Sequence, residues 1–291
     1  MSKALCWIEA MRLRTLPVSV AGVLTACAYA IIGGCFKTLP AILCLSFAVL
    51  AQIASNFANE YYDYKAGLDK PGREGPRRGV TEGDITPEAM RNATFGVLAV
   101  CAVIGCSLIY WGGWWLIAVG LTIGIGVLAY STGPYPLSHH GLGEIAVVCF
   151  FGIIPVNMTF YLMSGAFDLS VFIGSLSLGL MGANVLIVNN YRDLEDDAAV
   201  SKKTLAVLLG RPFCSTLYLL NGWLAGLLML PVWILLPLWG LAFPVFYLMV
   251  HTFVYYRLLS LRGMRLNPLL GVTAVLMLVY ALGFLVTVAA F

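Results

Sequence analysis

Residues 267–290 read NPLLGVTAVLMLVYALGFLVTVAA, a run of 24 residues without a charged side chain. A helix needs about 20 mostly apolar residues to cross the roughly 30 Å hydrocarbon core of a bilayer, so this run predicts a transmembrane helix. Eight further apolar stretches of similar length precede it, near residues 16–34, 39–58, 92–110, 113–131, 144–164, 169–190, 212–231 and 233–255. The sequence therefore predicts an all-α integral membrane protein with nine transmembrane helices, bundled around a central cavity.

The composition of the chain supports this fold class. Of its 291 residues, 60% are hydrophobic and only 11% are charged, whereas soluble domains carry about 25% charged residues. A transmembrane β-barrel would show alternating segments of roughly 10 residues instead of helix-length apolar runs. The net charge of +3 is too small to indicate a nucleic-acid partner, and we expect none.

The basic residues indicate how the helices are oriented, because cytoplasmic loops of membrane proteins carry the excess of Lys and Arg. In a nine-span arrangement, all of the 17 basic residues except Lys37 fall on one face of the membrane. Asp168 is the only acidic residue on the opposite face. We therefore predict a multi-pass protein of the cell membrane, the bacterial inner membrane, with a cytoplasmic N-terminus.

Two predicted helices end in polar clusters on the cytoplasmic face. Asn59 and Asp63 share one face of the second span, and Asn189, Asp193 and Asp197 share one face of the sixth. Carboxylates spaced four residues apart repel each other, and charges near a bilayer are costly to desolvate, so we expect a cation between them. Oxygen ligands without His or Cys favour Mg²⁺, which commonly bridges protein carboxylates to substrate phosphates. The presence of two such clusters favours a metal-binding site over the alternative that the acidic residues only solvate the helix ends.

Three loops on the same face are expected to complete the site, at about residues 59–90, 130–144 and 190–211. The first contains a basic, glycine-rich stretch that can bind phosphate, although such a stretch can also determine topology or contact lipid headgroups. The second loop contains no Lys or Arg. Its adjacent His139 and His140 would point apart in regular structure, so we predict surface residues, not a metal or base pair.

The two polar clusters resemble the signature motifs of the UbiA-type intramembrane prenyltransferases. Residues 59–63, NEYYD, are similar to that family's Asn-Asp-x-x-Asp motif with Glu60 in the aspartate position, and residues 193–197, DLEDD, are similar to its Asp-x-x-x-Asp motif. Softer similarities point to the branch that prenylates 1,4-dihydroxy-2-naphthoate, and they lie at residues 14–17, 75–85, 133–144, 150–152 and 189–210.

The resemblance implies a Mg²⁺-dependent enzyme that transfers a polyprenyl group from polyprenyl diphosphate to 1,4-dihydroxy-2-naphthoate. Diphosphate and carbon dioxide are lost, and the product, demethylmenaquinol, belongs to menaquinone biosynthesis. The expected partners are the two substrates and the lipid bilayer. Two alternatives stay open: a UbiA-type enzyme with another aromatic acceptor such as 4-hydroxybenzoate, and a polytopic transporter. Transporters usually place their coupling acids near the bilayer midplane, not at helix ends.

Under this hypothesis residues 1–291 form a single prenyltransferase domain, and the polar residues divide into three groups. The residues expected to bind metal and to act in catalysis are Asn59, Asp63, Asp193 and Asp197, with Asn56, Glu60 and Asp69 in support. The residues expected to bind the diphosphate are Lys70, Arg73, Arg77, Arg78 and Lys203. The residues expected to contact the acceptor are Arg14 and Tyr135.

Overall fold

A computed structural model describes residues 3–69 and 75–291. This part of the chain is α-helical, and its one β feature is an isolated bridge between His140 and Lys203. A π-helical segment, Val148–Ile153, joins two of the helices, Gly143–Val147 and Ile154–Ser164. The helices are α1 (Lys3–Ala10), α2 (Leu16–Ile32), α3 (Thr38–Lys65), α4 (Pro87–Gly112), α5 (Leu116–Ala129), α6 (Gly143–Val147), α7 (Ile154–Ser164), α8 (Leu169–Arg192), α9 (Leu194–Ala199), α10 (Leu205–Trp233), α11 (Ala242–Ser260) and α12 (Asn267–Ala289).

Most of the predicted membrane spans are present as helices. Within the described residues, eight helical segments are long and apolar enough to cross a membrane, which identifies a multi-pass membrane protein. The predicted span at 113–131 corresponds to α5, which has only 14 residues. At 1.5 Å per residue α5 is about 21 Å long, shorter than the hydrocarbon core. The length criterion thus supports eight of the nine predicted spans.

The observed helix bounds differ from the predicted ones mainly in three places. The predicted eighth span starts at residue 233, whereas α11 starts at Ala242. The predicted second span ends at residue 58, but α3 continues to Lys65, so Asn59 and Asp63 lie on a regular helix. The predicted seventh span starts at residue 212, whereas α10 starts at Leu205 and bends at Gly210, whose φ is 78°. Hydropathy misses the end of α3 because residues 59–65 are mostly polar, and it misses the start of α10 because Gly210 and Arg211 interrupt the apolar run.

Close packing around α8 forms the centre of the bundle. This helix packs against α10, α12 and the π-helical segment, and most of its residues are buried. The approach is closest at Gly152, where a methyl group would lie 2.5 Å from the Cα of Gly179 and 2.5 Å from the carbonyl oxygen of Ser175. Small residues at helix interfaces let membrane helices approach in this way.

The two ends of the bundle differ in character. Exposed aromatic residues lie in the connections at the end away from the acidic clusters, including Trp114, Trp115, Phe167 and Trp239. The rings of Trp115 and Phe167 are 6.3 Å apart, so two of these connections meet. Tryptophan is enriched where membrane proteins cross the bilayer interface, and most of the charged residues lie at the opposite end of the bundle. The arrangement fits a bundle that spans a membrane.

We expect Gly152→Ala to lower the apparent melting temperature of the purified protein by several degrees. The added methyl group clashes with backbone atoms of α8, which cannot move independently, and overpacking of this kind costs roughly 1–3 kcal/mol. Gly271→Ala is the matched control, because nothing lies within 4 Å of its new methyl group. Thermal melts of both variants in one detergent test the expectation, and an unchanged Gly152→Ala melt would contradict the packing described.

Candidate active site

The two acidic helix ends meet on either side of one lysine. Lys202 Nζ lies 3.4 Å from Oδ2 of Asp63 and 4.0 Å from Oδ1 of Asp197. Both aspartates are buried, with 1% and 5% of their surface exposed. The end of α3 and the start of α9 are therefore close enough for a single cation to contact both. This is the convergence that the sequence predicts for the two clusters.

A short backbone pairing positions the groups that flank Asp63. The N–H of Lys203 donates to the carbonyl oxygen of His139 at 3.2 Å, within the isolated bridge. Nε2 of His139 then lies 3.5 Å from Oδ1 of Asp63, opposite the side that Lys202 contacts. The prediction of a surface position is wrong for His139, whereas His140 stacks on the exposed Tyr135 ring at 3.7 Å.

Asn59 joins three separate segments to α3. Its Oδ1 accepts hydrogen bonds from Arg12 at 2.7 Å and from Arg78 at 3.1 Å, and its Nδ2 donates to Oγ of Ser131 at 3.0 Å. Two guanidinium groups thus lie beside the acidic clusters. Guanidinium binds phosphate oxygens in pairs, so this side of the site is suited to an anion.

Asp193 is fixed by its neighbour in the chain. Arg192 donates to both oxygens of Asp193, at 2.7 Å from Nε and 2.8 Å from NH2. The same guanidinium donates to Oδ1 of Asn189 at 2.9 Å and to Oδ1 of Asn267 at 2.8 Å. Arg192 therefore holds the end of α8 against the start of α12. It also gives Asp193 a local cation at the helix end.

Glu195, in the same motif, lies outside this arrangement. Its carboxylate is largely exposed and accepts two hydrogen bonds from Arg211, at 2.6 and 2.5 Å. The hydrogen bonds from this guanidinium lower the pKa of Glu195. Of the charged residues of the second motif, the two aspartates at its ends face the site.

The three residues predicted to support the metal site connect α3 to its flanking segments. Nδ2 of Asn56 donates to the carbonyl oxygen of Met11 at 2.9 Å. Oε1 of Glu60 accepts from the N–H of Val80 at 3.0 Å, and Oδ2 of Asp69 lies 3.2 Å from Nε of Arg78. These contacts place the N-terminal segment and the loop after α3 against the site.

The basic residues that are predicted to bind the diphosphate lie in different environments. Arg78 is buried and contacts the site, but Arg77 forms an ion pair with Asp84 and lies 4.0 Å from Glu9, at the surface. Lys203 is exposed, and its neighbour Lys202 reaches the acidic clusters. Lys70 and Arg73 lie outside the described residues.

The residues predicted to contact the acceptor are not brought into the site. Arg14 is exposed, and 56% of the surface of Tyr135 is exposed. Neither residue belongs to the lining of the polar cavity in the part of the chain that the structure describes. Sequence reasoning missed Arg12 and Tyr130, which do line it, although both lie within five residues of a predicted position.

A polar cavity occupies the space between the acidic helix ends. It encloses about 1120 Å³ that no atom fills, including the part open to solvent. Charged and amide side chains from both clusters and from all three loops line it. They include Arg12, Asn59, Arg78, Asp193, Asp197 and Lys202.

An apolar cavity of about 1090 Å³ adjoins the polar one. Side chains of α2 to α5 and of the segment from α6 to α7 line it, among them Phe47, Leu108 and Phe150. The two cavities share the lining residues Gln52, Ser55, Tyr130, Val147 and Phe151. A ligand with a charged head and a long apolar tail can therefore occupy both.

The donors at the acidic helix ends suit a hard cation. Among the described residues no three His, Cys, Asp or Glu side chains come close enough to form a complete metal cage. Oδ1 of Asp63 is nevertheless buried, and Nε2 of His139 faces it at 3.5 Å, a distance too long for a strong hydrogen bond. Mg²⁺ typically takes one or two protein carboxylates and completes its shell with substrate phosphate and water, so a sparse set of oxygen donors fits this ion.

Comparisons with known proteins agree with this geometry. Residues 19–268 match the model of the UbiA prenyltransferase family. The chain is similar to the 1,4-dihydroxy-2-naphthoate octaprenyltransferase of Escherichia coli, with 35% identity over 253 residues, 83% of this chain and 81% of the relative. It is also similar to the enzyme of the same name from Mycobacterium tuberculosis, with 35% identity over 212 residues, 73% of this chain and 72% of the relative.

Solved structures of related proteins share the fold. The apo structure of a UbiA homolog from Aeropyrum pernix has a TM-score of 0.71 and 16% identity, covering 94% of this chain and 96% of that one. The structure of a UbiA homolog from Archaeoglobus fulgidus bound to DMAPP and Mg²⁺ has a TM-score of 0.67 and 12% identity, covering 96% and 99%.

We expect Lys202→Met to destabilise the protein in the absence of divalent cations. The substitution removes the ammonium group between two buried carboxylates, and breaking a buried ion pair costs on the order of 3 kcal/mol. Added Mg²⁺ should then raise the apparent melting temperature of this variant more than that of the wild-type protein. Lys203→Met, at the exposed neighbour, is the control, and equal effects of the two substitutions would contradict the arrangement.

Proposed function

The chain belongs to the UbiA prenyltransferase family, and we propose that it transfers a polyprenyl group from polyprenyl diphosphate to 1,4-dihydroxy-2-naphthoate. Diphosphate and carbon dioxide leave, and the product is the demethylmenaquinol of menaquinone biosynthesis. The observation that carries the proposal is the junction of the two cavities, one polar and cation-rich, the other apolar. The acceptor follows from the names of relatives that align with most of the chain.

The basic side chains of the polar cavity are suited to the diphosphate group. Arg12 and Arg78 converge on Asn59, and Lys202 lies between Asp63 and Asp197. Negative charge accumulates on the diphosphate as its bond to the allylic carbon breaks. Fixed cations in a site shielded from water stabilise that charge more than cations in bulk solvent do.

We assign Mg²⁺ to the acidic helix ends. The assigned ligands are Asn59, Asp63, Asp193 and Asp197, supported by Asn56, Glu60 and Asp69. When bound there, Mg²⁺ neutralises charge on the diphosphate and makes it a better leaving group. Lys202 and Arg192 keep the carboxylates in place, because each holds an aspartate by a direct ion pair.

The apolar cavity accommodates the polyprenyl chain. An allylic cation must be kept from water until the ring attacks it, and the apolar walls of this cavity exclude water. Phe150 and Phe151 lie on these walls, and aromatic faces attract cations. The tail would then lie between α3, α4, α5 and α7, with its reactive end at the junction with the polar cavity.

The distribution of charge supports an orientation in the membrane. We propose that α5 is a short ninth crossing, because this makes α4 and the helix pair α6–α7 run in the same direction across the membrane and keeps the basic loops on one face. The N-terminus and the active site then face the cytoplasm of a bacterial inner membrane. The diphosphate substrate would reach the polar cavity from that side.

Transfer to the named acceptor can be measured directly with carboxyl-labelled substrate. We expect the purified protein, given Mg²⁺ and polyprenyl diphosphate, to release labelled carbon dioxide from 1,4-dihydroxy-2-naphthoate in proportion to product. Asp63→Asn and Asp193→Asn should each lower the rate at least about 100-fold, because charge stabilisation of this kind is worth that much. Glu88→Gln, at an exposed position, is the control. Turnover of 4-hydroxybenzoate in place of the naphthoate would contradict the proposal.

The two adjacent arginines provide a second test. Arg78→Gln should raise the KM for polyprenyl diphosphate about tenfold or more and leave the KM for the acceptor nearly unchanged, because Arg78 lines the polar cavity. Arg77→Gln should change neither constant, because Arg77 pairs with Asp84 and Glu9 at the surface. Steady-state kinetics with each substrate varied in turn distinguish the two. Equal effects of the two substitutions would indicate that this loop determines the membrane topology and does not bind the diphosphate.

A further inference from the structure

Glu144 is a buried carboxylate that is not among the residues assigned to the metal ion or to the diphosphate. It lies at the start of α6, only 8% of its surface is exposed, and it lines the polar cavity. Its Oε1 accepts a hydrogen bond from Nδ2 of Asn190 at 2.8 Å. Its Oε2 is buried and has no hydrogen-bond partner among the described residues. One oxygen of this carboxylate is thus held in place while the other lacks a donor.

The position of Glu144 is deeper in the bundle than the acidic helix ends. Its partner Asn190 precedes Asp193 by three residues on α8, which corresponds to a rise of about 4.5 Å along the helix axis. Glu144 therefore lies about one helical turn below the carboxylates assigned to the metal. A group bound at Glu144 would lie next to the diphosphate and on its membrane side.

Glu144 also lies where the polar and apolar cavities join. Val147, three residues further along the chain, lines both cavities, and so does Tyr130. A carbon atom added at Gly143 would lie 3.4 Å from the hydroxyl oxygen of Tyr130, so that hydroxyl is close to the start of α6. The reactive end of a polyprenyl chain in the apolar cavity would emerge at this junction, beside Glu144.

A buried carboxylate oxygen without a donor is costly, and native proteins rarely keep one unless a ligand or a reaction uses it. The donor that the proposed reaction brings to this place is a ring hydroxyl. We propose that Glu144 accepts the hydrogen bond of the acceptor hydroxyl next to the reacting ring carbon, and takes its proton during prenyl transfer. This inference rests on the proposed function and adds the residue that activates the acceptor.

The step balances without any further reactant. The hydroxyl proton moves to Oε2 of Glu144, the oxygen becomes a carbonyl, and the ring electron pair forms the bond from the carboxyl-bearing carbon to the allylic carbon. The bond between the allylic carbon and the diphosphate breaks, and its electron pair leaves with the diphosphate. The intermediate is a β-keto acid.

The same residue completes the reaction. The bond from the ring carbon to the carboxylate breaks, carbon dioxide leaves, and the electron pair restores the aromatic ring. The carbonyl oxygen then takes the proton back from Glu144, which returns to its starting state. Asn190 keeps the carboxylate oriented through the hydrogen bond to Oε1, so its role is positioning.

The test compares Glu144→Gln with the wild-type protein and with Glu82→Gln, a substitution at an exposed residue of the first loop. General base catalysis contributes typically 10²- to 10⁴-fold, so kcat with 1,4-dihydroxy-2-naphthoate should fall at least about 100-fold in Glu144→Gln. Mg²⁺-dependent binding of radiolabelled polyprenyl diphosphate should stay unchanged in this variant. Glu82→Gln should match the wild-type protein in both measurements.

A substrate analogue separates this role from a structural one. With 4-hydroxy-1-methoxy-2-naphthoate, in which a methyl ether replaces the hydroxyl next to the carboxylate and leaves no proton to transfer, the wild-type protein should react slowly and Glu144→Gln should cause little further loss, because the two changes remove the same interaction. Full kcat in Glu144→Gln, loss of diphosphate binding, or an equal penalty on both acceptors would overturn the inference. Failure of the wild-type protein to use the dihydroxynaphthoate would overturn the proposed function instead.

Discussion

The structure depends on how two buried carboxylates at the ends of membrane helices are neutralised. Asp63 ends one such helix and Asp197 follows another, and neither charge would be stable near a bilayer alone. Lys202 lies between them and brings the helix ends together. Because that contact closes the polar end of the bundle, it also sets where the basic side chains and the cavity lie. In the proposed complex a divalent cation bound with a diphosphate would neutralise the same carboxylates.

The junction of the two cavities follows from this arrangement. The polar cavity begins at the acidic helix ends, and the apolar cavity lies deeper among α2 to α5 and α7. In the proposed complex the polar cavity would bind the diphosphate group and the apolar cavity the polyprenyl chain, so the reactive carbon between them would lie at the boundary. Glu144 lies at that boundary, and we propose that its Oε2, which has no hydrogen-bond partner among the described residues, binds the acceptor hydroxyl. The charged, apolar and hydrogen-bonding regions of the site thus correspond to the diphosphate group, the polyprenyl chain and the acceptor hydroxyl of the proposed reaction.

Much of the architecture could be predicted from hydropathy, because a long apolar run has few alternatives to a membrane helix. That Asn59 and Asp63 lie on one face of α3 was also accessible, since helical spacing fixes which residues of a helix share a face, whereas the end of α8 at Arg192, inside the second cluster, was not. The contacts of side chains outside regular helices could not be predicted in this way. Lys202, and not Lys203, reaches the acids because a single backbone bridge sets their directions. Arg12 reaches Asn59 from a turn in which its φ is +52°, a conformation that periodicity does not indicate.

The most direct test of the account is the position of a bound metal ion. A crystal structure with Mn²⁺ in place of Mg²⁺ and a non-reactive polyprenyl thiodiphosphate would locate the metal by its anomalous scattering. The account predicts metal density that bridges the diphosphate to Asp63 from α3 and to Asp193 or Asp197 from the second cluster. Metal bound elsewhere, or a diphosphate bound with the two helix ends too far apart to share it, would contradict it.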